Sequence, residues 1–285
     1  MLRNVACCLC LLFIVFVCQM ESLAAPPRLR AKSAVLLNAT NGKILYAKNP
    51  NRPIQPASLT KILTLYLVHE AVSEGKINLS DKATISMEAY LTGGSSMYLE
   101  EGSDVELEDL IKGIAIVSAN DASVAVAEHL GGDVAHFVKM MNTKARALGM
   151  NHSKFINPNG LPAKGQVSTA LDFAKLARSY IRNFPDSLNI HAMKSFKYRD
   201  ITQNNRNDLL RQYPDADGLK TGFVRSAGFH LIATAKRGDT RLIAVLMGER
   251  NRAIRSREAS RLLDQGFKMT KDGYACRRLC KEINS

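Results

Sequence analysis

The spacing of apolar residues changes character along the chain, and each change predicts an element. Residues 34–37 and 44–47 are short apolar runs on either side of Asn41-Gly42, a dipeptide that favours a tight hairpin turn. Pro53 and Pro56 precede a stretch, residues 58–73, in which Leu59, Ile62, Leu63, Leu65, Tyr66, Leu67 and Val68 lie nearly all round a helix. A helix that is apolar on every side belongs in the middle of a fold, and Gly75 is its expected stop. Gly93-Gly94-Ser95-Ser96 reads as a mobile loop. Ser103 with Glu106 has the capping-box pattern for a helix over residues 103–117. Ser118-Ala119-Asn120 interrupts it, and a new helix is expected from Asp121 to Gly131-Gly132. Residues 133–148 put Phe137, Met140, Met141, Lys144 and Leu148 on one helical stripe, closed by Gly149. Ser168 or Thr169 caps a further helix that Pro185 ends. Beyond Lys220 the period becomes that of strands. Residues 228–235 and 241–247 flank Arg237-Gly238-Asp239 as a second hairpin, and a last helix covers residues 252–266. Strand pairs at the two ends around a helical middle predict an α+β fold on an antiparallel sheet, with no internal repeat and no interdomain linker.

The first residues follow a different rule. Arg3, an apolar run over residues 5–17 and small residues at Ser22 and Ala24 make the three-part pattern of a secretory signal peptide, with cleavage expected after Ala24. The run is short for a membrane span, which needs about 20 apolar residues; an uncleaved N-terminal anchor is the alternative. The expected organisation is a signal peptide over residues 1–24, one domain over residues 25–270 and a short basic tail over residues 271–285.

Charge and cysteine content change this picture in two ways. The chain has 285 residues with 39 Lys and Arg against 26 Asp and Glu, a formal charge of +13. Removing the signal peptide takes away one cation, Arg3, and one anion, Glu21, so the balance is kept. A surplus of that size suits an anionic lipid face or wall polymer, while export argues against intracellular nucleic acid; the plainer alternative is a solvated basic surface. Four of the six Cys (Cys7, Cys8, Cys10, Cys18) lie in the signal. Cys276 and Cys280 remain, expected as free or loosely paired thiols without a catalytic role, with a strained disulfide as the alternative.

Three short motifs carry candidate chemistry. Ser58-Leu59-Thr60-Lys61 puts a hydroxyl and an amine three apart, on one helix face. Ser58 also opens the helix, where a backbone N–H is unpaired and can face a developing oxyanion. Lys61 activates a serine only when neutral, and a buried helix is a setting that lowers its pKa. Ser73-Glu74-Gly75-Lys76 repeats the spacing but sits at a helix end, so it is read as a decoy. Ser118-Ala119-Asn120 lies between two helices, where a tight connection presents polar groups to a cleft; Ser187-Leu188-Asn189 repeats it in an expected loop after Pro185. Lys220-Thr221-Gly222 occurs once and leads into the strands, on an expected edge strand. It offers a cation, a hydroxyl and close backbone approach, which suits an extended peptide ending in a carboxylate. The six His residues form no pair at zinc-peptidase spacing, and no glycine-rich phosphate loop appears, so neither metal nor cofactor is expected.

S-x-x-K, S-x-N-type and K-T-G boxes in this order resemble the signature of penicillin-binding proteins and class A β-lactamases. The longer stretches Pro56-Ala57-Ser58-Leu59-Thr60-Lys61, Ser118-Ala119-Asn120-Asp121-Ala122 and Asp217-Gly218-Leu219-Lys220-Thr221-Gly222-Phe223 resemble the serine-type D-alanyl-D-alanine carboxypeptidases, the low-molecular-mass penicillin-binding proteins. Gly160-Leu161, Gly165-Gln166 and Asn205-Arg206-Asn207 resemble that family too.

The resemblance implies a transpeptidase-like fold, with an antiparallel sheet of about five strands and a central helix meeting a helical lobe at a cleft. It implies Ser58 as nucleophile, Lys61 as general base, Ser118 as proton relay and Asn120 as orienter of Lys61 and the substrate amide. Lys220 and Thr221 would hold the terminal carboxylate, and the N–H groups of Ser58 and Phe223 would form the oxyanion hole beside Gly222. An arginine of the last helix assists in this family; an ungapped count gives Arg255, and the local pattern leaves Arg257 open. The implied activity is removal of the terminal D-alanine from peptidoglycan stem pentapeptides, with β-lactams as covalent inhibitors. A cross-link endopeptidase and a non-catalytic wall-binding scaffold are the alternatives. Relatives often carry a β-rich second domain and an amphipathic C-terminal helix, which the short tail does not resemble. The residues 155–162, Phe-Ile-Asn-Pro-Asn-Gly-Leu-Pro, contain no acid to activate a deacylating water, so rapid antibiotic hydrolysis is not expected.

Overall fold

The computed structural model describes the backbone of residues 28–283 and the side chains of residues 28–270. The signal peptide and the side chains of Cys276 and Cys280 lie outside those residues.

The two expected hairpins are present, and they join. Strands β1 (Ser33–Asn38) and β2 (Ile44–Lys48) pair around Gly42, whose φ of 76° is the left-handed turn conformation that glycine tolerates. Strands β8 (Gly228–Arg237) and β9 (Thr240–Glu249) form the second hairpin. β1 pairs with β9 in antiparallel register, Val35 opposite Val245, which closes the chain's two ends into one sheet. With β7 (Ala216–Val224) the order is β2-β1-β9-β8-β7, five antiparallel strands with β7 at one edge.

Every residue of β1 is buried, because both faces of the sheet are covered. Ala34, Leu36, Leu231, Ala233, Leu242, Ala244 and Leu246 pack under the final helix through its Ala259, Leu262, Leu263 and Phe267. Val35, Leu37, Ile232, Ile243 and Val245 face the helical lobe. Adjacent strand residues point to opposite faces, so two packed layers turn an alternating strand into a continuous apolar run.

The lobe is organised around helix α1 (Lys61–Ser73), where Lys61 to Val68 and Ala71 are all buried. A single turn of 3-10 helix, Ala57–Thr60, leads into it. α2 (Met87–Tyr90) and strands β3 (Lys82–Thr84) and β4 (Asp104–Glu106) follow; β3 and β4 form a small hairpin that the sequence patterns did not predict. The expected helix over residues 103–117 is corrected accordingly. Residues 104–106 are extended because they pair with 82–84, Ser103 Oγ donates to the Glu100 carbonyl at 2.6 Å, and α3 covers only Leu107–Lys112. A π-turn, Gly113–Val117, completes that segment and ends at Ser118.

α4 (Asn120–Gly131) and α5 (Val134–Ala147) follow, the second capped by Asp133, whose carboxylate accepts from the His136 N–H at 2.6 Å. α6 (Ala170–Asn183) is capped by Thr169 rather than Ser168. Residues 187–189, expected in a loop, belong to α7 (Ser187–His191). A second unpredicted hairpin, β5 (Ser195–Tyr198) with β6 (Ile201–Asn204), precedes α8 (Leu209–Gln212). The final helix, α9, runs over Arg252–Ile283 and is longer than its apolar pattern indicated. Among the described residues no helix is long and apolar enough to cross a membrane.

Candidate active site

The 3-10 turn before α1 meets edge strand β7 at close range. A Cβ on Gly222 would lie 3.2 Å from Ala57 Cβ, 3.3 Å from Leu59 N and 3.3 Å from Pro56 O. Glycine in this position therefore lets β7 lie against the turn that carries Ser58. Ala57 has a φ of 50°, an unusual value for a residue with a side chain, directly before Ser58. Such strain persists where the surroundings over-determine it, often at functional sites.

Lys61 is fully buried one turn below Ser58. Its Nζ lies 3.1 Å from Ser58 Oγ, 2.7 Å from Asn120 Oδ1 and 2.5 Å from the Asn159 carbonyl oxygen. An ammonium would donate to all three. A neutral amine would donate to the two carbonyl-type oxygens and accept the Ser58 proton with its lone pair, which is the arrangement a general base needs. Burial is the main force pushing the Lys61 pKa well below the usual lysine range; the charge of Lys220 adds to it, and the carboxylate of Asp121 opposes it.

The Asn159 carbonyl is held by its own segment. Gln166 Oε1 accepts from the Ile156 N–H at 2.9 Å, and its Nε2 donates to the Leu161 carbonyl at 2.8 Å. Asn157 Oδ1 accepts from the Gly160 N–H at 2.8 Å, and Asn157 Nδ2 donates to the Leu161 carbonyl at 2.9 Å. Gly160, at φ 85°, lies flat against the turn that carries Ser58. Residues 155–162 thus sit beside Ser58 and present no carboxylate to it.

Ser118 and Asn120 enter from the junction of the π-turn and α4. Ser118 is 5% exposed and adopts the left-handed conformation, φ 66°, at the point where the chain must reverse. Asn120 Nδ2 donates to the Gly93 carbonyl at 2.7 Å, which turns Oδ1 toward Lys61. The loop over residues 93–99, whose first four residues were expected to be mobile, is tied down by this bond and by bonds to Asp121.

Lys220 is 2% exposed, and its Nζ donates to the Thr221 carbonyl at 3.2 Å. Its pKa is pushed down to about 7, first by burial and then by the charges of Arg206 and Arg255. Arg255 is 3% exposed, whereas Arg257 is exposed on another face of α9. The Arg255 pKa is pushed down to about 10 by burial; Asp208 opposes this and Arg252 adds to it. Arg255 Nη1 reaches the His230 carbonyl at 3.5 Å, and Nη2 is 4.0 Å from Asp208 Oδ2. Arg255 Nε and Nη2 are buried without a hydrogen-bond partner in this structure. Buried guanidinium donors left open beside a buried lysine favour an arriving anion.

Phe223, next along β7, is 53% exposed, and its ring packs on Phe229 with centroids 4.4 Å apart. Ser73 is exposed and bonds the Glu70 carbonyl at 2.8 Å; Ser187 bonds the Phe184 carbonyl at 2.6 Å. Lys76, the lysine of the first repeat, is exposed and paired with Glu74 at 2.6 Å instead of meeting Ser73. Sequence reasoning gave no role to the Asn159 carbonyl, to Gly160, or to Arg206, whose N–H donates to the Ile116 carbonyl at 3.1 Å next to the Ser118 turn. The one sequence signal for Arg206 is its place in Asn205-Arg206-Asn207.

A family model described as D-alanyl-D-alanine carboxypeptidase matches residues 20–251. The D-alanyl-D-alanine carboxypeptidase DacF of Bacillus subtilis is 41% identical over 246 residues, covering 83% of this chain and 62% of that protein. Among solved structures, penicillin binding protein 5 from Haemophilus influenzae superimposes with a TM-score of 0.84 at 38% identity, covering 86% of this chain and 73% of that one. Penicillin-Binding Protein D2 from Listeria monocytogenes, in its ampicillin-bound form, gives a TM-score of 0.78 at 30% identity, covering 85% of this chain and 98% of that one. The fold is that of the penicillin-binding proteins. Within that class, the chain belongs to the D-alanyl-D-alanine carboxypeptidase family. It spans 62% to 64% of the length of the first curated relatives that it matches.

Proposed function

We propose that this chain is a serine D,D-carboxypeptidase that removes the terminal D-alanine from peptidoglycan stem pentapeptides. The observation that carries the reading is the shared contact of Lys61 Nζ with Ser58, Asn120 and Asn159 beside the buried cations of β7 and α9. The substrate's terminal carboxylate binds Lys220 and Thr221, with Arg255 behind them. Ser58 Oγ attacks the carbonyl between the two D-alanines as its proton passes to Lys61, and the oxyanion faces the N–H groups of Ser58 and Phe223. Collapse breaks the C–N bond, and the leaving amine takes a proton delivered through Ser118. Water, deprotonated by Lys61, then hydrolyses the Ser58 ester. β-Lactams acylate the same serine, and their opened ring stays attached and hinders water. The absence of an acid in residues 155–162 supports slow release of that adduct.

A digest of purified muropeptides tests the reading. Free D-alanine from pentapeptides supports it. Split dimers would assign the cross-link endopeptidase instead, and neither product would leave the scaffold.

The signal-peptide pattern supports export to the periplasm or cell envelope, with residues 25–270 as the catalytic domain. Weak electrostatic attachment to the anionic envelope is part of the proposal, and the fold narrows its basis. Arg252 is tied to Asp208 and Arg255 is buried, so neither is free for a surface. Arg250, Arg257 and Arg261 remain exposed on or beside α9, and the other cations of the proposal, Lys271, Arg277, Arg278 and Lys281 of the tail, lie outside the described side chains. Each adds about 1 kcal/mol at most near an anionic surface, and salt screens the attraction within about 8 Å. Co-sedimentation with anionic vesicles is expected at low salt and lost at about 1 M salt. Absence of binding at low salt would leave the charge as a solubility feature.

A further inference from the structure

Asp121 has an environment that the proposed reaction steps leave unexplained. It is 1% exposed in the first turn of α4, beside Asn120. Its carboxylate accepts from Ser96 Oγ at 2.6 Å, from the Met97 N–H at 3.1 Å, from the Leu99 N–H at 3.3 Å and from its neighbour Ala122 N–H at 2.9 Å. Three of those donors belong to the loop over residues 93–99. The same loop supplies the Gly93 carbonyl to Asn120 Nδ2 and the Ser95 carbonyl to the Asn120 N–H, both at 2.7 Å. Gly94 passes so close that a Cβ there would lie 2.7 Å from Asn120 Nδ2.

The consequence for Asn120 is directional. Its amide has one donor end and one acceptor end. As long as the loop keeps the Gly93 carbonyl on Nδ2, Oδ1 faces Lys61. A loop released from Asp121 would free the amide to turn, and its NH₂ end would then face Lys61 Nζ and repel the protonated base. The charged groups that act on Lys61 are Lys220, from β7, and Asp121, from α4; they act in opposite directions.

We propose that Asp121 is a positioning residue: its buried carboxylate fastens the 93–99 loop that orients the Asn120 amide, and it supplies the negative charge that opposes Lys220 at Lys61. The inference rests on the carboxypeptidase reading of the same site. It has two separable parts, a mechanical one and an electrostatic one, and different variants address each.

Asp121→Asn removes the charge. Lys61 then loses the group that favours its ammonium form, so the neutral base persists to lower pH. The rising limb of acylation rate against pH should move to lower pH, while the plateau rate falls about tenfold as Asn120 loses its brace. Asp121→Glu keeps the charge, so the limb should stay in place. Ser96→Ala removes one loop bond and no charge; it should lower the plateau about threefold with the limb unmoved. The measurement is the acylation rate by a fluorescent penicillin between pH 5 and pH 9, with thermal melting of each variant.

A folded Asp121→Asn protein with the wild-type limb would overturn the electrostatic part. A wild-type plateau in Ser96→Ala would overturn the mechanical part, and that arm decides even if Asp121→Asn does not fold. A wild-type protein that neither acylates nor releases D-alanine would instead sink the carboxypeptidase reading itself.

Discussion

Lys61→Arg is expected to cut the acylation rate at pH 7–8 by about a thousandfold, the middle of the range for loss of a general base. The substitution keeps a cation but removes the possibility of a neutral amine, because a guanidinium is not deprotonated in proteins. The site is arranged for the neutral form: burial and Lys220 both disfavour the ammonium, and Asp121 only partly offsets them. In the wild type the acylation rate should therefore rise with pH through the lowered Lys61 pKa, as the neutral fraction grows. Arginine should remove that limb together with the rate. Stopped-flow acylation by a fluorescent penicillin, with a melting curve to show the variant is folded, checks this. Acylation above about a tenth of the wild-type rate would exclude Lys61 as the base.

The residues that were legible in the sequence are those whose chemistry is local. The apolar helix after Ser58 announced its own burial, and Lys61 came with it. Asn41-Gly42 and Arg237-Gly238-Asp239 marked the hairpins, since turn preferences act over a few residues. What stayed hidden depends on partners distant in the chain. Ser103 and Glu106 satisfy a capping-box pattern, yet pairing of residues 104–106 with 82–84 overrides it. The Asn159 contact to Lys61 is a backbone carbonyl, so side-chain identity carried no signal for it. The ungapped count gives Arg255 but leaves Arg257 open; the packing of α9 on the sheet buries the first and exposes the second. Asp121 looked like an ordinary acid in a helical first turn, and its loop contacts come from residues 22 to 25 positions earlier.

Gly160→Ala is expected to damage both stability and acylation, although the residue makes no contact through a side chain of its own. A Cβ there would lie 2.0 Å from the Ala57 carbonyl oxygen, 2.4 Å from Ala57 C and 3.0 Å from Ser58 N. Those atoms are backbone, so no side-chain rotation relieves the clash, and the turn carrying Ser58 or the segment carrying Asn159 has to move. The backbone also sits at φ 85°, which costs a residue with a Cβ about 1–2 kcal/mol. Overpacking adds about 1–3 kcal/mol. Gly165 separates the two causes. Its φ is 84°, but nothing lies within 4 Å of the Cβ it would gain. Gly165→Ala should therefore cost only the conformational part, about 1–2 kcal/mol, and leave acylation near wild type. Gly160→Ala should melt several degrees lower than Gly165→Ala, at about 2–4 °C per kcal/mol for a domain of this size, and should acylate at least tenfold more slowly. Equal melting points and equal acylation rates for the two variants would show that residues 155–162 do not hold the turn that carries Ser58.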